Sequence, residues 1–141
     1  MKDRQLLQEQ IEKIIKKTHR ALKSARDNFK QGDFETTSSR AYYAVFHIMQ
    51  GALLLKGLTY SKHSGVISAF SKEFIKTGIF PKEFSKKIHR LYKNREISDY
   101  SYTLTIDNMQ AQEDIDNATE IVSSIERYIQ AQIKEERNDG P

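Results

Sequence analysis

The chain of 141 residues contains no cysteine, which excludes a disulfide framework and a thiolate metal site. Proline and glycine are scarce, with two and six residues, and such scarcity favours long uninterrupted helices. No hydrophobic run approaches the ~20 residues that cross a bilayer. The N-terminal residues Met1 to Gln5 lack the apolar core of a secretory signal. We therefore expect a cytoplasmic protein that does not enter the membrane.

Motifs for common catalytic and cofactor chemistries are also missing. Neither type of glycine-rich phosphate loop occurs, and no serine lies in a nucleophile elbow. No pair of histidines has the spacing of metal ligands beside a carboxylate. These absences predict a protein without a metal site and without a cofactor.

Hydrophobic residues recur at steps of three and four through five segments, as in amphipathic helices. The segments run over about 3–30, 34–56, 63–76, 82–99 and from about 105 or 107 onwards. No stretch of alternating polarity is long enough for a strand. The pattern predicts an all-α fold, an up-and-down bundle of five helices. We expect one domain over residues 1–134 and a frayed, charged tail over 135–141.

The net charge of +4 hides a strong asymmetry along the chain. Residues 56–95 contain ten Lys/Arg and two Asp/Glu, whereas residues 96–141 contain three Lys/Arg and eleven Asp/Glu. The basic block is suited to nucleic acid or to an acidic partner. Alternatively, the third and fifth helices place opposite charges side by side within the bundle.

The second segment is apolar on nearly every side, so it is expected to be buried. Arg40, Tyr43 and His47 recur at i, i+3 and i+7 and therefore share one face of this helix. An arginine and a histidine on a buried helix must be paired or must face a groove. These three residues are therefore candidates for a ligand-binding site.

The fourth segment provides a second set of candidates. Its apolar stripe of Phe84, Ile88 and Leu91 leads to Arg95, and Asp99 follows Arg95 at i+4. Asp99 either pairs with Arg95 within the helix or leaves the guanidinium free to bind a phosphate. Aromatic rings suited to stacking lie nearby, at the helix end (Tyr100, Tyr102) and at positions that indicate the core (Tyr42, Tyr43, Tyr92). His63 is interpreted as a residue that supports the first turn of the third helix.

Several motifs together resemble the HEPN family, the higher-eukaryote and prokaryote nucleotide-binding domain. The stretch Ser-Arg-Ala-Tyr-Tyr-Ala-Val-Phe-His at 39–47 is similar to its second-helix signature. The stretches Leu-Leu-Leu-Lys-Gly-Leu at 53–58, Lys-His-Ser-Gly-Val-Ile at 62–67 and Lys-Thr-Gly-Ile-Phe-Pro-Lys-Glu-Phe at 76–84 follow in the family's order. Arg95, Asp99 and Tyr100 resemble the Arg-x-x-x-Asp-Tyr motif of its small prokaryotic UPF0332-type branch.

The resemblance implies a four-helix core with an extra helix, a homodimer with a shared cleft, and no cofactor. Many such domains work with a small nucleotidyltransferase as toxin–antitoxin pairs. Members with an Arg-x(4–6)-His motif are metal-independent ribonucleases. Here Arg95 matches the arginine of that motif, but Tyr100 stands where the histidine would be, and no histidine follows His89.

Three functional hypotheses result. The first is a homodimeric module that binds a nucleotidyltransferase, a nucleotide or RNA through Arg40, Tyr43, His47, Arg95, Asp99 and Tyr100. The second is a metal-independent endoribonuclease toxin that uses Arg95 with His47 or Tyr100 as an atypical base. The third is a buried polar network that only specifies the bundle. The first two require that the second and fourth helices bring these side chains into one pocket.

Overall fold

The computed structural model describes residues 2–139, which form five α-helices and no strand. A single π-helical turn, Ser71–Ile75, continues the third helix. The predicted all-α five-helix fold is confirmed. The helices are α1 (Lys2–Lys30), α2 (Phe34–Leu55), α3 (His63–Phe70), α4 (Glu83–Tyr100) and α5 (Asn108–Asp139).

The last helix extends further than the sequence pattern indicates. α5 keeps a helical backbone to Asp139, while residues 140 and 141 of the predicted tail lie outside the described residues. The domain boundary at 134 and the frayed tail therefore stay predictions.

The helix ends follow local sequence signals. Gly32 has a φ of +80°, which suits the residue after a helix and ends α1. Asp33 then accepts a hydrogen bond from the Thr36 amide at 3.2 Å and caps α2. Before α5, the Gln110 amide donates to Asp107 Oδ1 at 2.8 Å, and the Asp107 amide donates to Gln110 Oε1 at 3.0 Å. This reciprocal capping box fixes where α5 begins.

Helix α2 forms the centre of the bundle, because it packs against α1, α3, α4 and α5. Most of its apolar side chains are buried, as the sequence predicts. Each large apolar side chain that is fully buried stabilises the fold by about 1.5–3 kcal/mol. The largest fully buried side chains of α2 are Tyr42, Ile48, Met49 and Leu53.

The helices around α2 approach closely at Gly51. A Cβ atom at this position would lie 3.3 Å from Ile14 Cγ2 and 3.4 Å from Ile129 Cδ1. Glycine therefore allows α1 and α5 to pack tightly on α2 at this level.

The opposite charges of the chain meet between α4 and α5. Lys87 Nζ lies 2.8 Å from Glu120 Oε1, and Arg90 Nη1 lies 2.7 Å from Glu113 Oε1. The sequence alternative places the basic side chains of the third helix beside the acidic ones of the fifth. In these two ion pairs the basic side chains come from the fourth helix instead. Since these pairs are exposed, each contributes ~1 kcal/mol at most. Among the described residues, none of the helices has the length and hydrophobicity needed to span a membrane.

Candidate functional site

Arg95 is a buried cation at the centre of the candidate site. It continues the inward stripe of α4 after Phe84, Ile88 and Leu91, and it is only 5% exposed. A guanidinium remains protonated at any pH near neutrality. The site therefore carries a positive charge that the surrounding protein must compensate.

Four tyrosine rings surround this guanidinium. Arg95 Cζ lies 5.3 Å from the ring centre of Tyr42, 5.5 Å from those of Tyr43 and Tyr92, and 5.7 Å from that of Tyr100. These distances are within the range of cation–π attraction. Tyr100 is the most exposed of the four rings. The rings stabilise the cation partly, but they carry no negative charge.

The ionic compensation of Arg95 is incomplete. The nearest carboxylate oxygen, Asp99 Oδ2, lies 3.6 Å from Nε, which is too far for a hydrogen bond. Among the side chains that the structure describes, those of residues 3–136, Arg95 Nε is the one buried nitrogen or oxygen without a hydrogen-bond partner. The guanidinium therefore keeps unused capacity to bind an anion.

His63 is the remaining polar neighbour of the guanidinium. Its Nε2 atom lies 3.2 Å from Arg95 Nη2, and its Nδ1 atom lies 2.8 Å from Tyr42 Oη. Burial, and secondarily the charge of Arg95, lower the pKa of His63 below its ordinary value. Burial also raises the pKa of Tyr42 well above its usual value, so this hydroxyl stays protonated. The imidazole is therefore neutral near pH 7.

A buried hydrogen-bond network anchors α4 immediately beside Arg95. Asp114 on α5 accepts hydrogen bonds from Ser38 Oγ at 2.7 Å and from Asn94 Nδ2 at 3.0 Å. Since all three side chains are buried, this network joins α2, α4 and α5 at the level of the site. It holds the backbone that presents Arg95.

The other predicted residues face a different part of the surface. Arg40, Tyr43 and His47 share one face of α2, and this face opens into a cavity of about 380 Å³ between α1 and α2. Burial lowers the pKa of His47, a hydrogen bond that the imidazole donates to Gln50 opposes this change, and the charge of the nearby Lys17 adds to the lowering. The cavity is lined by Lys17, Arg20, Ala21, Ser24, Arg40, Tyr43 and His47.

The structure therefore brings the predicted residues together in two groups. Tyr43, Asp99 and Tyr100 surround Arg95, whereas Arg40 and His47 line the cavity beside α1. Tyr43 belongs to both groups, because its ring also lies 6.3 Å from that of His47. The residues that the sequence predicts for a single pocket thus lie in two adjacent groups with one shared side chain, Tyr43.

Sequence reasoning missed two residues that contact Arg95. The sequence alone predicts that His63 supports a helix turn and that Tyr42 lies in the core. Tyr42 is buried as predicted, and both residues also belong to the hydrogen-bonded chain that ends at the guanidinium. The only signal for His63 is its place in the stretch at 62–67 that resembles the family. In the part of the chain that is described, no three His, Asp or Glu side chains are arranged to hold a metal ion.

The chain belongs to the HEPN family, whose domain model matches residues 11–129. A UPF0332 protein of Thermotoga maritima is 34% identical over 123 residues, which cover 84% of this chain and 93% of that protein. A protein of Methanocaldococcus jannaschii named "Putative toxin MJ0142" is 33% identical over 103 residues, 73% of this chain and 70% of that protein.

Two solved structures share the fold. The crystal structure of TT1696 from Thermus thermophilus superposes with a TM-score of 0.73 at 17% identity, and covers 83% of this chain and 96% of that one. ST0689, described as an archaeal HEPN homologue, has a TM-score of 0.68 at 21% identity, with 84% and 97% covered. Both agree with the five-helix architecture described above.

Proposed function

We propose that this chain is a toxin-like HEPN module that binds a phosphate group of a nucleotide or an RNA at Arg95. The observation that carries the proposal is the buried guanidinium, 5% exposed, whose Nε atom has no hydrogen-bond partner among the described residues. A phosphate group beside the guanidinium provides the negative charge that its protein neighbours do not fully supply. Planar donors of arginine match phosphate geometry well.

The neighbouring side chains have distinct roles in this proposal. Arg95 supplies the charge, and Asp99, 3.6 Å from Nε, orients the guanidinium. Tyr100 is 69% exposed, so the ligand approaches from its side, where the ring stacks on a base or its hydroxyl binds a phosphate. His63 stays neutral and accepts a hydrogen bond from the guanidinium, so it adds no competing charge.

The proposal includes a homodimer. Four large side chains are exposed where α4 ends and α5 begins: Tyr100, Tyr102, Leu104 and Met109. Clustered apolar side chains at a surface mark an interaction site, and this one adjoins Arg95. A second copy that covers this segment, hereafter the α4–α5 connector, would place two Arg95 sites beside one shared cleft, as the family resemblance implies.

The biological role in the proposal is that of a toxin controlled by a small nucleotidyltransferase. A relative that matches most of this chain is named "Putative toxin". The family resemblance supplies the nucleotidyltransferase partner. We expect a neighbouring gene to encode such a nucleotidyltransferase, and its coexpression with this chain to relieve any growth inhibition that the chain causes alone.

Binding measurements test the phosphate site directly. Fluorescently labelled single-stranded RNA and ATP are titrated with the wild-type protein, with Arg95→Lys, and with Arg127→Lys as a control on the exposed face of α5. We expect Arg95→Lys to bind at least about tenfold more weakly, because lysine loses the bidentate geometry. Equal affinities of all three folded proteins would contradict the proposal.

A second candidate function is a metal-independent endoribonuclease. His63 favours it, because this imidazole lies 3.2 Å from Arg95 and a histidine is an effective general base near neutral pH. The assay incubates RNA in a chelator with wild-type protein, Arg95→Lys, His63→Gln, His47→Gln and Tyr100→Phe. Cleavage lost in Arg95→Lys and His63→Gln alone establishes this function. Loss in His47→Gln or Tyr100→Phe instead points to the atypical base that the sequence suggests.

A further inference from the structure

The cavity between α1 and α2 is strongly basic. Three of its lining side chains are the cations Lys17, Arg20 and Arg40, and none of its lining residues is acidic. Among the described side chains, residues 3–136, no ion pair joins these three cations to a carboxylate. By contrast, the basic residues Lys87 and Arg90 of α4 are paired with α5. The positive charge of this cavity is therefore not neutralised by carboxylates, and it attracts any anion that enters.

Two ladders of side chains form the walls of the cavity. Lys17, Arg20 and Ser24 recur at helical steps along α1, and Arg40, Tyr43 and His47 recur along α2. The short link at residues 31–33 makes the two helices antiparallel, so Lys17 lies near His47, as their electrostatic interaction indicates. At a rise of 1.5 Å per residue, each wall extends for roughly 10 Å, with Lys17 at one end of the cavity and Arg40 at the other. This is longer than one phosphate group needs.

The cavity adjoins the site at Arg95 through Tyr43. Tyr43 lines the cavity, and the centre of its ring lies 5.5 Å from Arg95 Cζ. A ligand with a single phosphate can occupy one of the two sites, whereas a polynucleotide presents successive phosphates to both. Arginines that contact phosphates add affinity without reading sequence.

We infer that the cavity between α1 and α2 is a second phosphate-binding site, which holds the backbone of a single-stranded nucleic acid whose neighbouring phosphate lies at Arg95. The inference rests on the proposed phosphate site at Arg95 and identifies its ligand as a strand rather than a free nucleotide. Arg20 and Arg40 provide the bidentate contacts, Lys17 adds charge, and Ser24 donates a hydrogen bond from its hydroxyl.

The test compares two double variants that remove the same charge. Arg20→Ala/Arg40→Ala changes the cavity, and Lys72→Ala/Lys76→Ala changes exposed residues at the π-helical turn. Each is titrated with a labelled 12-nucleotide single-stranded RNA and with ATP at several salt concentrations. Since all four side chains are exposed, both variants should melt at the wild-type temperature. The single variant Arg20→Ala, which leaves α2 unchanged, provides a second measurement.

We expect the cavity variant to bind the RNA at least about tenfold more weakly and to lose about 1.4 units of the salt-dependence slope, roughly 0.7 for each arginine. Its affinity for ATP should stay within about twofold of the wild type, because the triphosphate of one nucleotide is held at Arg95 and does not need the cavity. The control variant should keep most of its affinity for both ligands.

The other outcomes separate the two proposals. Unchanged RNA binding in the cavity variant, with weak binding in Arg95→Lys, overturns the inference and leaves the Arg95 site intact. The reverse pattern leaves the cavity as a phosphate site and overturns the function proposed for Arg95. An equal loss in the control variant means that RNA binding reflects net charge alone, and it overturns the inference.

Discussion

The contact between His63 Nε2 and Arg95 Nη2, at 3.2 Å, determines the protonation of the imidazole. A guanidinium only donates hydrogen bonds, so Nε2 must accept and must carry no proton. The proton of the neutral ring is then on Nδ1, from which it is donated to Tyr42 Oη at 2.8 Å. A protonated His63 would direct a second donor at Arg95 and break this arrangement.

The first prediction concerns the pKa of His63. Burial is the larger cause that lowers this pKa, and the charge of Arg95 is the smaller one. In Arg95→Gln, we expect the pKa of His63 to rise but to stay below 6.5, because burial remains. The measurement is an NMR titration of the imidazole carbon and proton shifts. The nitrogen shifts of the wild-type ring should report the tautomer with the proton on Nδ1.

His47 provides an internal reference in the same titration. Its pKa is lowered by burial and by Lys17 rather than by Arg95, so its titration curve should not move in Arg95→Gln. A pKa of His63 that is unchanged in the variant would show that Arg95 does not act on the imidazole.

The second prediction concerns Tyr42, whose hydroxyl accepts the hydrogen bond from His63 Nδ1. Tyr42→Phe keeps the ring in the core but leaves the imidazole N–H without an acceptor. We expect a loss of about 1–2 kcal/mol in the free energy of unfolding, which is about 2–8 °C in melting temperature for a domain of this size. Thermal and urea unfolding measure it.

Tyr92→Phe is the matched control, because Tyr92 also contacts Arg95 with its ring. No hydrogen bond joins its hydroxyl to another of the described residues, so the variant should lose less stability than Tyr42→Phe. Equal losses would show that the Tyr42–His63 hydrogen bond does not stabilise the fold.

The third prediction concerns the proposed homodimer. Tyr102 is fully exposed and Met109 is 81% exposed on the α4–α5 connector. If a second copy covers this segment, Tyr102→Glu/Met109→Glu places two charges in an apolar interface and shifts the protein to a monomer. Light scattering coupled to size exclusion measures the mass. Leu6→Glu on α1, also at an exposed apolar residue, should leave the mass unchanged, and a monomeric wild type would refute the dimer.

The fold could be predicted from the sequence because its signals are local. The helical periodicity, Gly32 after α1 and the cap at Asp33 fix α1 and α2 without any knowledge of their neighbours. The position of Arg95 could be predicted in the same way, since it follows Phe84, Ile88 and Leu91 on one stripe. Helical periodicity does not show which neighbouring helix packs against the face of α2 that carries Arg40, Tyr43 and His47.

The site differs from its prediction because it depends on contacts between distant segments. His63 lies 32 residues from Arg95 in the sequence. Only the packing of α3 beside α2 and α4 brings the imidazole of His63 into contact with the Phe46 ring and with the Arg95 guanidinium. Arg40 shares a face of α2 with Tyr43, but Arg40 lines the cavity between α1 and α2, whereas Tyr43 also contacts Arg95. Helical spacing identifies residues on a common face, and it does not identify the helix that this face meets.

The fourth prediction concerns pH and the buried carboxyl of Asp114. Burial raises its pKa from the ordinary 3.8 to about 6, although the hydrogen bonds from Ser38 and Asn94 oppose this change. Between these pH values the folded protein holds a proton that the unfolded chain has released. The contribution of Asp114 to stability is therefore complete below about pH 4 and is lost as the pH rises through 6. A difference of this size corresponds to roughly 2–3 kcal/mol.

Asp114→Asn removes this titration while it keeps an oxygen that accepts hydrogen bonds from Ser38 and Asn94. Urea unfolding at pH values between 4 and 8 measures the free energy of unfolding of both proteins. The difference between the two values isolates the contribution of Asp114 from those of the other groups that titrate in this range. We expect the variant to gain stability relative to the wild type as the pH rises from 4 to 7. Asp116→Asn, at an exposed position two residues further along α5, should follow the wild-type profile. A pH-independent difference between Asp114→Asn and the wild type would mean that the buried carboxyl does not hold its proton near pH 5.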